Sequence, residues 1–210
     1  LTTFDGQQWS DPSLVPSNSI ALHPGAHVLH YASTCFEGLK AFTHPDGSRH
    51  IFRMDQNIAR LAQSSRLLSL PEVDEAMLRK MILDLVIRYK DEVPAPPGTL
   101  YLRPTHIGTE AAIGKAAAPS SQSMLYVLAS PVGDYFAGGD ATLRILIDEV
   151  GMRCAPHMGM VKSGGNYASA LQMLNKARVE HKADQVLFCP DGDVQETAAA
   201  NFMLIEGNEL

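Results

Sequence analysis

The chain has 210 residues, 45% of them apolar, so it can form a hydrophobic core and is not a disordered segment. Its formal charge of −6 comes with no basic stripe or Lys/Arg block, which argues against nucleic acid and for a small molecule as partner. No apolar run reaches the roughly 18 residues that span a bilayer and no basic-then-apolar leader opens the chain, so a soluble, intracellular, cytoplasmic protein is expected.

Residues 1–18 are rich in Asp, Ser, Pro and Gln around Trp9 and read as an arm with turns, followed by a short strand near Ser19–Leu22. His23, His27 and His30 are the one histidine cluster. Pro24 and Gly25 interrupt the helix that would align them, so no metal site is expected. Leu39–Phe42 is predicted to pair with His50–Arg53 across a Pro45-Asp46-Gly47 turn. From Asp55 the period becomes helical, with Ile58, Leu61, Ala62, Ser65 and Leu68 on one stripe until Pro71. A second helix over Val73–Tyr89 carries Leu78, Ile82, Leu85, Val86 and Tyr89 and stops at Pro94, Pro96, Pro97 and Gly98. Two β-rich runs follow, Thr99–Ile107 and Ser123–Ser130.

Gly138-Gly139-Asp140, just after Tyr135 and Phe136, marks a domain boundary near 136–140. The expected organisation is a small N-terminal domain over 1–136, a linker and first strand over 137–161, and the start of a larger domain over 162–210. In the 137–161 segment, a strand over Thr142–Val150 precedes a loop and Lys162. A helix over Tyr167–His181 is expected to bury Ala168, Leu171, Leu174, Ala177 and Arg178, with Asn166 as its N-cap. Val186–Cys189 and Val194–Thr197 form a hairpin, and Asn201–Ile205 reads as a last strand. Cys35, Cys154 and Cys189 are odd in number and lack a CxxC pair, which speaks against a disulfide framework or zinc knuckle.

The chemistry centres on Lys162, set before Ser163-Gly164-Gly165-Asn166-Tyr167. A lysine amine is a nucleophile at neutral pH only when its surroundings favour the neutral form, and glycines let backbone approach a bulky ligand. On its own such a stretch is most often a solvated loop. Glu196 closes a predicted strand and is followed by Thr197-Ala198-Ala199-Ala200, small residues that leave room for a flat ring. If Lys162 held pyridoxal phosphate, Glu196 would be the acid at the ring nitrogen; taken alone it is a surface hairpin glutamate. Arg60 or Arg66 would anchor a phosphate. Tyr101 and Arg103, two apart on a strand, project to one face and suit a carboxylate substrate, with Tyr31 and Phe36 as aromatic wall or plain core.

Together, Phe36-Glu37-Gly38-Leu39-Lys40-Ala41, Phe52-Arg53 with Asn57-x-x-Arg60, Tyr101-Leu102-Arg103-Pro104-Thr105, Ile107-Gly108-Thr109-Glu110, Lys162-Ser163-Gly164-Gly165-Asn166-Tyr167 and Glu196 resemble the fold-type IV pyridoxal-phosphate enzymes, specifically branched-chain amino acid aminotransferases. The resemblance implies a two-domain α+β or α/β fold, a small N-terminal domain and a larger C-terminal domain that is truncated here. It implies pyridoxal 5'-phosphate as cofactor, amino acid and 2-oxo acid substrates, and a homodimer or higher homo-oligomer. Lys162 corresponds to the Schiff-base lysine and proton shuttle. Tyr167 corresponds to the hydroxyl at the ring oxygen, Glu196 to the carboxylate at the pyridine nitrogen, Arg60 to a phosphate ligand and Ala199 to a cofactor contact. Tyr31, Phe36, Tyr101 and Arg103 correspond to substrate-pocket residues. The expected reaction is a ping-pong transfer of the amino group of L-leucine, L-isoleucine or L-valine to 2-oxoglutarate. The alternatives are a D-amino acid aminotransferase or aminodeoxychorismate lyase of the same fold type, and a cofactor-free dimerising domain.

Overall fold

The computed structural model describes residues 1–133 and 142–210, and the boundary expected at 136–140, with Tyr135 and Phe136, lies outside them. The chain divides into two units, Leu1–Ala137 with Val161–Gly164, and Gly138–Met160 with Gly165–Leu210.

The first unit is built on an antiparallel sheet of β1 (Thr2–Phe4), β2 (Thr34–Phe36), β3 (Leu39–Thr43), β4 (Arg49–Ile51), β5 (Thr99–Gly108) and β6 (Ser123–Val132), running β1-β6-β5-β3-β4. β5 and β6 pair over ten residues, Thr99 opposite Val132 through Gly108 opposite Ser123. β2 and β3 lie end to end along β5, Phe36 opposite Thr105 and Leu39 opposite Leu102. From Cys35 to Ala41 the odd positions are buried and the even ones half-buried, the period of two that a sheet with one covered face imposes. Glu37 falls on the buried side of that alternation.

Among the described residues, three α-helices belong to this unit: α1 (His27–Tyr31), α2 (Met54–Leu67) and α3 (Glu75–Arg88). The stripe of α2 is buried as expected at Ile58, Leu61, Ala62 and Ser65, and α3 buries Leu78, Met81, Ile82 and Val86. Asp74 caps α3 by accepting from the amides of Ala76 and Met77 at 2.9 and 3.0 Å, which satisfies two of the donors a helix start leaves open. These stripes join Cys35, Leu39, Leu100, Leu102 and Leu125 in one core.

Two expectations fail at the N-terminal end. The arm contributes β1, paired to β6 from Thr2 opposite Leu125. No strand forms at Ser19–Leu22, where a short 3-10 turn at Ser17–Ser19 precedes extended chain. An edge strand such as β1 is specified by its partner rather than by its own polar composition.

In the second unit, β7 (Ile145–Asp148) runs parallel to β8 (Gln185–Phe188), the helix α4 (Gly164–His181) connects them in sequence, and β9 (Glu196–Thr197) pairs antiparallel with β8. The side chains that α4 buries are Ala170, with Met173 and Leu174 partly covered, and Ala177, a stripe spaced three and four apart. Leu174 and Ala177 are thus covered as expected, whereas Ala168, Leu171 and Arg178 face outward, Leu171 being 62% exposed. Asn166 lies inside α4 rather than at its cap, its side-chain amide donating to the Met158 carbonyl at 2.9 Å. Asn201–Ile205 is not a strand; apolar composition does not make one without a neighbour to pair with.

Candidate active site

In the first unit, the segment Val161–Gly164 is stitched to α2 and β2. The Lys162 amide donates to Ser64 Oγ at 3.2 Å, and its carbonyl accepts from the Phe36 amide at 3.1 Å. Ser163 forms an isolated bridge with Cys35. Gly164 follows closely enough that a β-carbon there would lie 2.8 Å from Thr34 Cγ2, so a small residue is required after Lys162-Ser163. The backbone of Lys162 is thereby held from both sides, while its half-buried side chain places Nζ 5.5 Å from the centroid of the Phe36 ring.

The same ring receives Arg103, whose Cζ is 4.4 Å from the centroid, a separation at which a guanidinium is attracted to an aromatic face. Arg103 also donates to the Tyr101 hydroxyl, from Nε at 3.1 Å and Nη2 at 2.6 Å. The two residues share a face of β5, with Leu102 and Pro104 buried on the other, as the spacing of two predicts. Gly38 lies against that hydroxyl, and a β-carbon at Gly38 would overlap it. Lys162, Phe36, Arg103 and Tyr101, from three separate parts of the sequence, thus form one contiguous group: an amine, an aromatic wall and a tyrosine-oriented guanidinium.

Arg60 projects from α2 and grips Glu37 with two of its nitrogens, Nε to Oε1 and Nη2 to Oε2, the latter at 2.8 Å. Asn57 donates to the same Oε2 at 2.8 Å and the Gly38 amide to it at 3.3 Å. The carboxylate is fully buried, whereas the Arg60 side chain remains 53% exposed. The arginine expected to meet a phosphate is thus oriented from behind by a buried acid. Tyr31, at the end of α1, accepts from the Gly114 amide at 3.0 Å and packs its ring 4.8 Å from that of His27.

Below this group lies a buried polar chain. Ser65 Oγ is 3.4 Å from Cys35 Sγ and 2.9 Å from His106 Nδ1. Burial pushes the Cys35 thiol up to about 11 and the His106 ring down to about 4, so both stay neutral near pH 7 and Cys35 is no nucleophile.

In the second unit, Tyr167 lies in the first turns of α4, Glu196 is exposed on β9, and Ala199 is exposed in the bend that follows. Arg153 joins the two segments: its Cζ is 4.8 Å from the Tyr167 ring centroid, and Nε donates to the Thr197 carbonyl at 3.1 Å. Among the described residues, no group of three or more His, Cys, Asp or Glu could hold a metal ion. None of the described helices is long and apolar enough to cross a membrane.

Three residues with evident structural purpose carry no role in the sequence-based reading: Glu37, Ser64 and Arg153. Glu37 was detectable, since a carboxylate at the inward position of an alternating strand needs a partner, and Asn57 with Arg60 supplies one from a single helix face. Ser64 and Arg153 act on backbone groups, which leave no pattern in side-chain sequence.

Residues 34–210 match the family model described as Amino-transferase class IV. The chain is 40% identical over 205 residues to the branched-chain-amino-acid aminotransferase of Monosiga brevicollis, across 96% of this chain and 52% of that protein. It is 38% identical over 215 residues to branched-chain-amino-acid transaminase 1 of Bacillus subtilis, across 98% of this chain and 59% of that one. Among solved structures, the branched-chain amino acid aminotransferase of Thermobaculum terrenum in its PLP-form superposes with a TM-score of 0.70 at 19% identity, over 94% of this chain and 61% of the other. At that identity the likeness speaks to the fold, the mixed α+β architecture expected of fold-type IV. The chain spans between half and two thirds of the length of these proteins.

Proposed function

Because this chain belongs to the amino-transferase class IV family, we propose that the whole protein is a pyridoxal-phosphate-dependent branched-chain amino acid aminotransferase, moving the amino group of L-leucine, L-isoleucine or L-valine to 2-oxoglutarate. The observation that carries the proposal is the Phe36 ring, shared by Lys162 Nζ at 5.5 Å and Arg103 Cζ at 4.4 Å. It sets an amine and a carboxylate-binding fork beside one apolar wall. The relatives named above, at 38 and 40% identity, support the branched-chain reading over the alternatives of the same fold type.

The residues present suit the cofactor. Lys162 is held by its backbone, which fixes the point from which its side chain departs. Arg60 is oriented by Glu37 through Nε and Nη2, which sets the plane in which its guanidinium would meet a phosphate. Glu196 carries the carboxylate for the ring nitrogen, Tyr167 a hydroxyl for the ring oxygen, and Ala199 leaves space for the ring. When bound, pyridoxal phosphate supplies a protonated ring that draws off the electron pair left at the substrate Cα. Lys162, as the neutral amine, takes the Cα proton and returns one in the reverse half-reaction. Phe36 and Tyr31 give leucine-like side chains an apolar wall. Arg103, steadied by Tyr101, donates to the side-chain carboxylate of glutamate or 2-oxoglutarate, so one pocket serves both substrates. We extend the proposal to a cytoplasmic homodimer or higher homo-oligomer, the compartment expected from the sequence and the assembly implied by the resemblance.

The test is a substrate panel on the full-length protein. Glutamate formed from 2-oxoglutarate with L-leucine, and not with D-alanine, is the expected result. Preferential turnover of D-alanine or of aminodeoxychorismate overturns the reading.

A further inference from the structure

Arg153 lies in the loop between β7 and α4 and is 2% exposed. A buried guanidinium must have its donors answered, and here they go mainly to backbone. Nε donates to the Thr197 carbonyl at 3.1 Å, Nη2 to the Ala198 carbonyl at 2.9 Å, and Nη1 to the Asn166 carbonyl. The guanidinium carbon lies 4.8 Å from the Tyr167 ring centroid. The backbone of Arg153 is tied to the same two segments, its amide donating to Gln195 Oε1 at 3.3 Å and its carbonyl accepting from Ser169 Oγ at 2.9 Å.

The pattern has a geometric consequence. Successive carbonyls of a regular strand point to opposite sides, yet those of Thr197 and Ala198 both meet one guanidinium. The chain must therefore bend there, and β9 ends at Thr197. Thr197 Oγ1 accepts from the Ala200 amide at 2.7 Å and closes the bend that carries Ala199. At the other end, the Asn166 carbonyl and the Tyr167 ring belong to the first turns of α4.

We infer that Arg153 is a positioning residue: its buried fork holds the start of α4, with Tyr167, in register with the exit of β9, with Glu196 and Ala199. That these residues face a cofactor rests on the function proposed above; the tie between the two segments does not. Lysine cannot replace it, because a single ammonium lacks the planar fork that reaches three carbonyls.

The test uses the full-length protein and two readouts, amide hydrogen exchange without cofactor and pyridoxal phosphate affinity with the absorption spectrum of the bound form. Arg153→Lys is expected to speed exchange in residues 164–169 and 196–200 together while leaving residues 99–132 unchanged. It is expected to weaken cofactor affinity roughly tenfold or more and to shift the bound spectrum, with R153M worse than R153K. Gln195→Ala removes only the bond to the Arg153 amide and should give the same exchange pattern at smaller amplitude, which keeps the test valid if R153M does not fold. Unchanged exchange at either segment, or wild-type affinity and spectrum in folded R153K, overturns the inference. A wild-type protein that takes up no pyridoxal phosphate while exchange responds to R153K overturns the proposed function, and with it the cofactor half of the inference.

Discussion

The Arg103 guanidinium donates two hydrogen bonds to the Tyr101 hydroxyl, from Nε at 3.1 Å and Nη2 at 2.6 Å. Both residues stand on one face of β5, and Arg103 also lies over Phe36. The tyrosine therefore sets the direction of a cation that is otherwise free to swing on a long side chain. Tyr101→Phe removes both hydrogen bonds to the guanidinium and should raise KM for glutamate and 2-oxoglutarate by roughly tenfold or more, while changing KM for L-leucine little. Steady-state kinetics with both substrates checks this. An equal rise for both would mean that the pair supports the pocket as a whole.

Gly38 offers an independent route to the same contact, because a β-carbon there would overlap the Tyr101 hydroxyl. Gly38→Ala should displace the ring and reproduce the selective glutamate defect of the tyrosine variant. It should also lower thermal stability, since overpacking typically costs about 1–3 kcal/mol. Kinetics and a melting curve on the same preparation separate the two effects.

Glu37 is fully buried and answered by Arg60 and Asn57. Glu37→Ala removes the acceptor of both and should destabilise the protein by roughly 2 kcal/mol, less than a wholly buried pair would lose because Arg60 is half exposed to water. Glu37→Gln should lose less. Urea denaturation of both variants gives the comparison, and a weakened grip on pyridoxal phosphate in E37A would follow from the loss of orientation at Arg60.

His106 predicts a pH dependence. Its ring is held by burial at about 4, below its ordinary 6.5. The unfolded chain therefore binds a proton that the folded chain refuses between those values, so stability falls as pH drops through that window and levels off below it. The full effect is of order 3 kcal/mol. Denaturant midpoints measured across the window should decline in the wild type, and the His106→Gln variant should lose most of that slope. The Glu110 carboxyl, held down to about 2 mainly by the Lys115 ammonium beside it, acts in the same direction only at lower pH, as the folded protein passes from about 4.5 towards 2.

How far the sequence carries depends on what a residue answers to. The stripes of α2 and α3 and the long β5–β6 pair are legible because burial imposes a period on side chains. Tyr101 and Arg103 are legible for the same reason, being two apart on a strand. β1 is not legible, because an edge strand takes its identity from β6. Asn201–Ile205 misleads in the opposite direction: it has strand composition and no paired neighbour. The shift of the α4 stripe onto Ala170 and Met173 at its N-terminal end, ahead of the expected Leu174 and Ala177, is not legible because alanines, leucines and a methionine surround the helix on several sides. In the candidate site, the residues that carry chemistry were visible as types at fixed spacings. The residues that hold them, Ser64 on the Lys162 amide and Arg153 on three carbonyls, bind backbone and so leave no such mark.

The most direct measurement is to reduce the full-length protein with borohydride in the presence of pyridoxal phosphate and locate the modified lysine by peptide mass spectrometry. The label is expected on Lys162, and Lys162→Ala should lose both the label and transamination of L-leucine. A label on another lysine, or a K162A protein that still transaminates, would contradict the assignment of this chain's central residue.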